Sequence, residues 1–237
     1  MNRRLLVGLD AVASLRGRAG GPSLAAVATL ANVAGAAGVR LGVREEDEPA
    51  ATRELRELAA VGVRLELRMA PIPALLKVAL EARPARVLLA SSPNGRASAL
   101  PLDFRAWGSA LAPALRALEE AGLAAGALVA PELPAVKAAH AVGARGVELY
   151  TGSLVDLPGA ERREALTRLA DAARLAAKLR LGVGVGGGLD ETSVATALDA
   201  APGASHVTIG RAWVSRSVLV GIDRATRDFR EAIRSRA

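Results

Sequence analysis

Eight short runs of β-branched and leucine-rich residues recur through this chain at intervals of roughly 25–30 residues, each followed by a longer alanine-rich amphipathic stretch. Eightfold alternation of strand and helix in 237 residues leaves few folds open. The pattern predicts strands at Arg4–Leu9, Val39–Val43, Val63–Met69, Arg86–Ala90, Ala124–Val129, Gly146–Tyr150, Leu179–Val185 and His206–Gly210. It predicts helices near 23–35, 50–60, 72–82, 106–121, 132–141, 160–177, 190–199 and 214–235. Small turns at 34–38, 60–62, 120–122 and 142–146 each put a glycine where a helix should stop before the next strand. The expected fold is α/β, a single (β/α)8 TIM barrel over residues 1–237. An open doubly wound sheet would use fewer strands or need a second domain, and no linker or composition shift marks one.

Composition narrows the function classes. The apolar runs are short and broken by charge, so none should span a bilayer. The first run stops at Asp10 without a small-residue cleavage site, so it reads as a strand rather than a signal peptide. The absence of cysteine excludes disulfides, thiolate ligands and thiol catalysis. A cytoplasmic protein is the expectation. A net charge of +7 raises the question of nucleic acid. The basic residues are nearly all arginine, set singly among acids such as Glu54, Glu57, Glu119, Glu161 and Glu164, and aromatics make up only 2%. Too few rings are present for base stacking, so a solvated helical surface is the better account and no nucleic-acid partner is expected.

In a barrel of this kind the chemistry sits where strands run into the following helices. That places attention on Asp10, Arg44, Arg68, Ser91–Ser92, Glu148, Tyr150, Gly186–Gly188, Gly210 and Arg211. The stretch Leu-Gly-Val-Gly-Val-Gly-Gly-Gly-Leu-Asp at 181–190 satisfies G-x-G-x-x-G through Gly182, Gly184 and Gly187. A dinucleotide fingerprint belongs in the turn after a first strand, whereas here two glycines fall inside the seventh. A phosphate rim fits better: Gly187 and Gly188 allow close backbone approach, and Gly210 with Arg211 closes the eighth strand at the same end. The alternative is a tight turn beside a solvated arginine.

Several ordered motifs resemble the pyridoxine 5′-phosphate synthase family of the deoxyxylulose-dependent vitamin B6 pathway. Leu6–Arg16 is similar to the family's V-N-I-D-H-x-A-T-L-R, Gly35–Glu45 to G-A-D-G-I-T-x-H-L-R-E, and Leu67–Ala70 to L-E-M-A. Glu148–Gly152 parallels E-x-H-T-G, Val183–Leu189 parallels V-N-A-G-H-G-L, and Ile209–Gly221 parallels I-G-H-x-I-x-x-R-A-V-x-x-G-L. The resemblance implies a barrel that joins 3-amino-2-oxopropyl phosphate to 1-deoxyxylulose 5-phosphate, in a homo-oligomer and without a cofactor. Such ring closure needs repeated proton transfers by groups that exchange protons near neutral pH. The family's base, its assisting glutamate and its acid fall at Gly42, Arg68 and Gly187 here. Its first-strand Asn and His are Gly8 and Ala11, its strand-eight His is Arg211, and Tyr150 replaces a further histidine.

What remains suits binding better than chemistry. Asp10, Arg44, Arg68, Gly187, Gly188, Gly210 and Arg211 form the expected phosphate site, with Arg16 or Arg18 able to reach the mouth. The ligand would be a phosphorylated small molecule or inorganic phosphate. An arginine in the cavity needs a counter-charge, so an internal Arg68–Asp10 or Arg68–Glu148 bridge is the competing reading. If catalysis survives in altered form, Asp10, Glu148 or Tyr150 would carry it; a third possibility is a structural partner of an active homologue. His140 reads as a surface residue and His206 as lying at the barrel floor, away from the site. Lys77, Lys137 and Lys178 fall on or at the ends of helices, which argues against a Schiff-base aldolase. The acidic run Glu45–Glu48 lacks EF-hand spacing and reads as a solvated loop, so no metal is expected. Trp107, Trp213 and Phe229 are expected to pack helices against the barrel or a second subunit.

Overall fold

The eight strands form and close on themselves. In the computed structural model, which describes residues 3–15, 21–91, 100–154 and 157–234, β1 (Arg4–Gly8), β2 (Gly38–Gly42), β3 (Leu65–Met69), β4 (Arg86–Leu89), β5 (Ala125–Val129), β6 (Gly146–Tyr150), β7 (Gly182–Gly186) and β8 (His206–Ile209) pair in parallel in chain order, with β8 returning to β1. Around them run α1 (Asp10–Ser14), α2 (Leu24–Val33), α3 (Glu48–Ala60), α4 (Pro73–Ala82), α5 (Gly108–Glu120), α6 (Leu133–Ala141), α7 (Gly159–Lys178), α8 (Ser193–Ala200), α9 (Arg211–Val220) and α10 (Ile222–Arg234). The architecture is a (β/α)8 TIM barrel. Arg16, Arg18 and Ser92 lie outside the described residues.

Three local expectations are corrected. The single helix expected at 214–235 is two, because Gly221 adopts φ +83° and turns the chain between α9 and α10. A short helix, α1, follows β1 where none was expected before residue 23, and Asp10 begins it. The acidic stretch at 45–48 is a 3₁₀ turn (Glu45–Asp47) leading directly into α3 rather than a loop.

Strand alternation sorts the side chains into two populations. Val39, Leu41, Leu65, Leu67, Met69, Val87, Leu89, Val183 and Val185 point outward and join the apolar layer between sheet and helices. Their neighbours point inward, and many are charged or bare. Arg40 stands beside Glu66 and Glu66 beside Arg86, while Glu148 stands beside Gly184 and Gly184 beside His206. The glycine-rich stretch is explained by this arrangement. Gly182, Gly184 and Gly186 are the inward positions of β7, and they leave one wall of the barrel empty for large side chains from its neighbours. A Cβ at Gly186 would lie 2.6 Å from Glu148 Oε1, and one at Gly184 would overlap the His206 ring.

Trp213 and Phe229 are fully buried where α9 and α10 pack, and Trp107 is half-buried before α5. Trp213 Nε1 donates to Thr226 Oγ1 at 3.0 Å, and that hydroxyl donates in turn to the Ile222 carbonyl. Thr226→Val keeps the shape but orphans the indole N–H, so we expect a loss of about 1–3 kcal/mol in chemical denaturation. A Thr226→Ser variant should recover most of it.

Candidate functional site

Two tiers of polar residues fill the barrel. The upper tier is at the C-terminal mouth. Asp10, at the start of α1, accepts a 2.7 Å hydrogen bond from the Gly42 backbone N–H through Oδ1 and sets Oδ2 3.3 Å from Arg68 Nη1. The ends of β1, β2 and β3 are thereby tied through one carboxylate. Of the two bridges considered for Arg68, the structure has the one to Asp10. A Cβ at Gly42 would come within 2.6 Å of Arg68 Nη2 and 2.7 Å of Asp10 Oδ1. The ion pair occupies the space a side chain at position 42 would need.

Across the mouth, Gly187 has φ +106° and Gly188 φ +70°, conformations that suit glycine. A Cβ at Gly187 would lie 2.7 Å from the Tyr150 ring. That half-buried ring packs on Leu88, Ala90 and Leu128 inside the barrel. Fully buried Thr151 pins the loop, its hydroxyl donating to the Gly187 carbonyl at 2.6 Å and its N–H to the Gly186 carbonyl at 2.9 Å. At the adjoining edge, Gly8 and Gly210 meet closely: a Cβ on Gly8 would be 3.2 Å from Gly210 Cα. Gly210 precedes α9 without a side-chain cap, so the first N–H groups of that helix are open to an anion, and exposed Arg211 begins it. Arg44 is partly exposed and lies 3.4 Å from Glu46.

Of the lower tier, the sequence pointed only to Glu148 and to His206 at the barrel floor. Arg40, 3% exposed, donates through Nε to Glu66 and through Nη1 to Glu148 Oε1 at 2.6 Å, with Nη2 on Glu148 Oε2 as well. Arg86 Nη1 reaches Glu66 Oε2 at 3.2 Å and His206 Nε2 at 2.9 Å. A guanidinium can only donate, so Nε2 accepts, and Nδ1 carries the proton toward Ser205 Oγ at 3.2 Å. Glu148 Oε2 also lies 3.5 Å from Nε2, but the closer, donor-only arginine decides the tautomer. Burial alone would push the Glu148 carboxyl up; the Arg40 guanidinium overcomes this and holds it well below the usual carboxylate range. Burial likewise opposes the Arg40 charge, and Glu148 and Glu66 more than restore it. Glu148 is therefore a bound anion beneath the mouth. His206 is buried in the same network, and His140 is exposed on α6.

The strand-seven loop ends in a hydrogen-bonded turn that leads into α8. Asp190 Oδ1 accepts from the N–H groups of Thr192 and Ser193 at 3.0 and 2.8 Å and from both hydroxyls. Burial works against the charge, but the Ser193 and Thr192 hydrogen bonds outweigh it and lower the carboxyl below its ordinary value. Because the folded value is the depressed one, this stabilisation is present above the ordinary carboxylate range and is lost as pH falls through the folded value. Asp190→Ala should cost about 1 kcal/mol at neutral pH, and the gap to the parent should close on acidification, as measured by urea titration.

Among the described residues no group of three or more His, Asp and Glu side chains could hold a metal ion, and no helix is long and apolar enough to cross a membrane. With this geometry in hand, comparison with known proteins is decisive: residues 5–235 match the pyridoxal phosphate biosynthesis protein PdxJ family. The chain belongs to that family. PdxJ-family relatives include the pyridoxine 5′-phosphate synthase of Citrifermentans bemidjiense, 35% identical over 238 residues and 98% of each chain. That of Geobacter metallireducens is 34% identical over 236 residues, again 98% of each chain. Among solved structures, the tryptophan synthase α subunit of Legionella pneumophila superposes with a TM-score of 0.66 at 13% identity, over 98% of this chain and 93% of that one. Thiamine phosphate pyrophosphorylase of Pyrococcus furiosus gives 0.58 at 15% identity, over 99% and 96%. Those two likenesses concern the fold alone.

Proposed function

We propose that this PdxJ-family barrel binds a phosphorylated small molecule at its C-terminal mouth and does not close the pyridine ring. One observation carries the reading: where the family motifs place a base and an acid, Gly42 and Gly187 stand, and the volumes are filled by the Arg68–Asp10 pair and the Tyr150 ring. An arginine holds its proton throughout the physiological range, so Arg68 cannot replace a shuttling carboxylate. Arg44, Arg68 and Arg211, the backbone of Gly187, Gly188 and Gly210, and the uncapped start of α9 supply cationic and N–H partners for a phosphate.

Incubating the purified chain with 3-amino-2-oxopropyl phosphate and 1-deoxyxylulose 5-phosphate should yield no pyridoxine 5′-phosphate above a protein-free blank. Inorganic phosphate and sugar phosphates should raise the melting temperature; at about a hundredfold over the dissociation constant the gain is roughly 2.7 kcal/mol. Turnover at an enzyme-like rate overturns the first half, and a flat thermal response the second. A second reading has an observation of its own. Asp10 remains a carboxylate at the mouth, about a quarter exposed, so altered chemistry would still have one candidate base, with Tyr150 opposite. Product analysis by mass spectrometry separates the two. Family likeness further suggests a cytoplasmic homo-oligomer. Leu15, Val218 and Leu219, each more than half exposed, are apolar side chains such a contact would cover, and sedimentation velocity tests this.

A further inference from the structure

We propose that the floor of the barrel, opposite the mouth, holds a small inorganic anion of halide size between Arg4, Arg64 and Arg86. A cavity of about 30 Å³ opens there, lined by these three arginines with Leu6, Leu65, Glu66 and His206. The charges around it do not balance. Inside the barrel Arg40 and Arg86 are matched by Glu66 and Glu148. Glu66, the one carboxylate facing the cavity, is already divided between Arg40 at Oε1 and Arg86 at Oε2. Arg4 and Arg64 pair with no carboxylate among the described residues, which leaves two surplus guanidinium charges. His206 adds no negative charge, and its Nε2 is taken by Arg86.

Of the three, Arg86 has its side chain held in place. Arg86 is anchored at Nη1 by Glu66 and His206, with Nη2 lying over the bare face of Gly126, where a Cβ would be 2.6 Å away. Arg4 is registered beside His206 across the β1–β8 pair. Arg64 enters β3 with its carbonyl fixed by the Val39 N–H. The chain entering β4, β6 and β7 adds Arg83, Arg145 and Arg180 at the same end of the barrel, of which Arg145 pairs with Glu119. A space of this size takes one or two water-sized atoms. It suits a monatomic anion, and its place at the opposite end of the barrel separates this site from the phosphate reading at the mouth.

Crystals of the full chain grown with bromide should show an anomalous peak bounded by Arg4, Arg64 and Arg86. In solution, replacing gluconate by chloride at constant ionic strength should raise the melting temperature by about 2–4 °C. An Arg4→Ala/Arg64→Ala variant, altered only at exposed side chains, should lose that response, whereas Arg145→Ala on the same face should keep it. A cavity that is empty or holds only water, or a chloride response surviving in the double variant, overturns the proposal.

Discussion

Arg40→Ala should melt about 6–20 °C below the parent, the equivalent of roughly 3–5 kcal/mol in a chain of this length. The arginine bonds directly to two carboxylates on opposite sides of the barrel interior, Glu66 on β3 and Glu148 on β6. Removing it leaves Glu148, 1% exposed, with the Thr208 hydroxyl at 3.3 Å as its remaining donor among the described residues. It also leaves a void in a wall already thinned by glycines. The cost comes from stranding buried charge rather than from losing the net value of an ion pair. Arg40→Met with Glu66→Gln and Glu148→Gln should therefore recover much of the loss, since each neutral amide is cheaper to bury. Thermal denaturation of the three proteins checks this. A single variant as stable as the parent would mean the network contributes nothing.

Gly187→His, which gives the strand-seven loop the histidine of the family motif, should lose roughly 2–5 kcal/mol and gain no synthase activity. Two costs act together. At φ +106° any side chain strains the backbone, and the new Cβ meets the Tyr150 ring at 2.7 Å. Combining it with Tyr150→His should return the part of the loss due to overlap and leave the backbone term. Activity should stay at blank level in both variants. An acid alone cannot act when position 42 holds no base and position 68 holds a permanent cation, because groups that work as a unit fail as a unit. Denaturant titration and single-turnover assay for pyridoxine 5′-phosphate give the two readouts. Appearance of product in either variant would show that the remaining groups at the mouth suffice.

Much of this molecule is legible in one dimension. The eight strands were readable because outward-facing positions on a barrel are uniformly apolar, and helix-ending glycines such as Gly62 and Gly122 adopt the left-handed conformations their positions suggested. The start of α1 at Asp10 and the break at Gly221 were not, since neither leaves a periodic signal over so few residues. Arg40, Glu66 and Arg86 were overlooked although a sign was present. A charged residue flanked by apolar ones inside a strand, as in Val39-Arg40-Leu41 or Leu65-Glu66-Leu67, must face the barrel interior when helices cover the outside.

Sequence by itself determined the barrel, the family, and the glycines at 42 and 187, because periodicity and motif order are carried by neighbours along the chain. Tertiary structure alone decided which arginine meets which acid. Arg68 was free on paper to join Asp10 or Glu148, and the choice fell to Asp10 because Arg40, 108 positions from Glu148, had already claimed that carboxylate. Pairing across a closed sheet depends on the height and direction of inward side chains. Those are fixed by strand register around the whole ring, a quantity that no local stretch of residues contains.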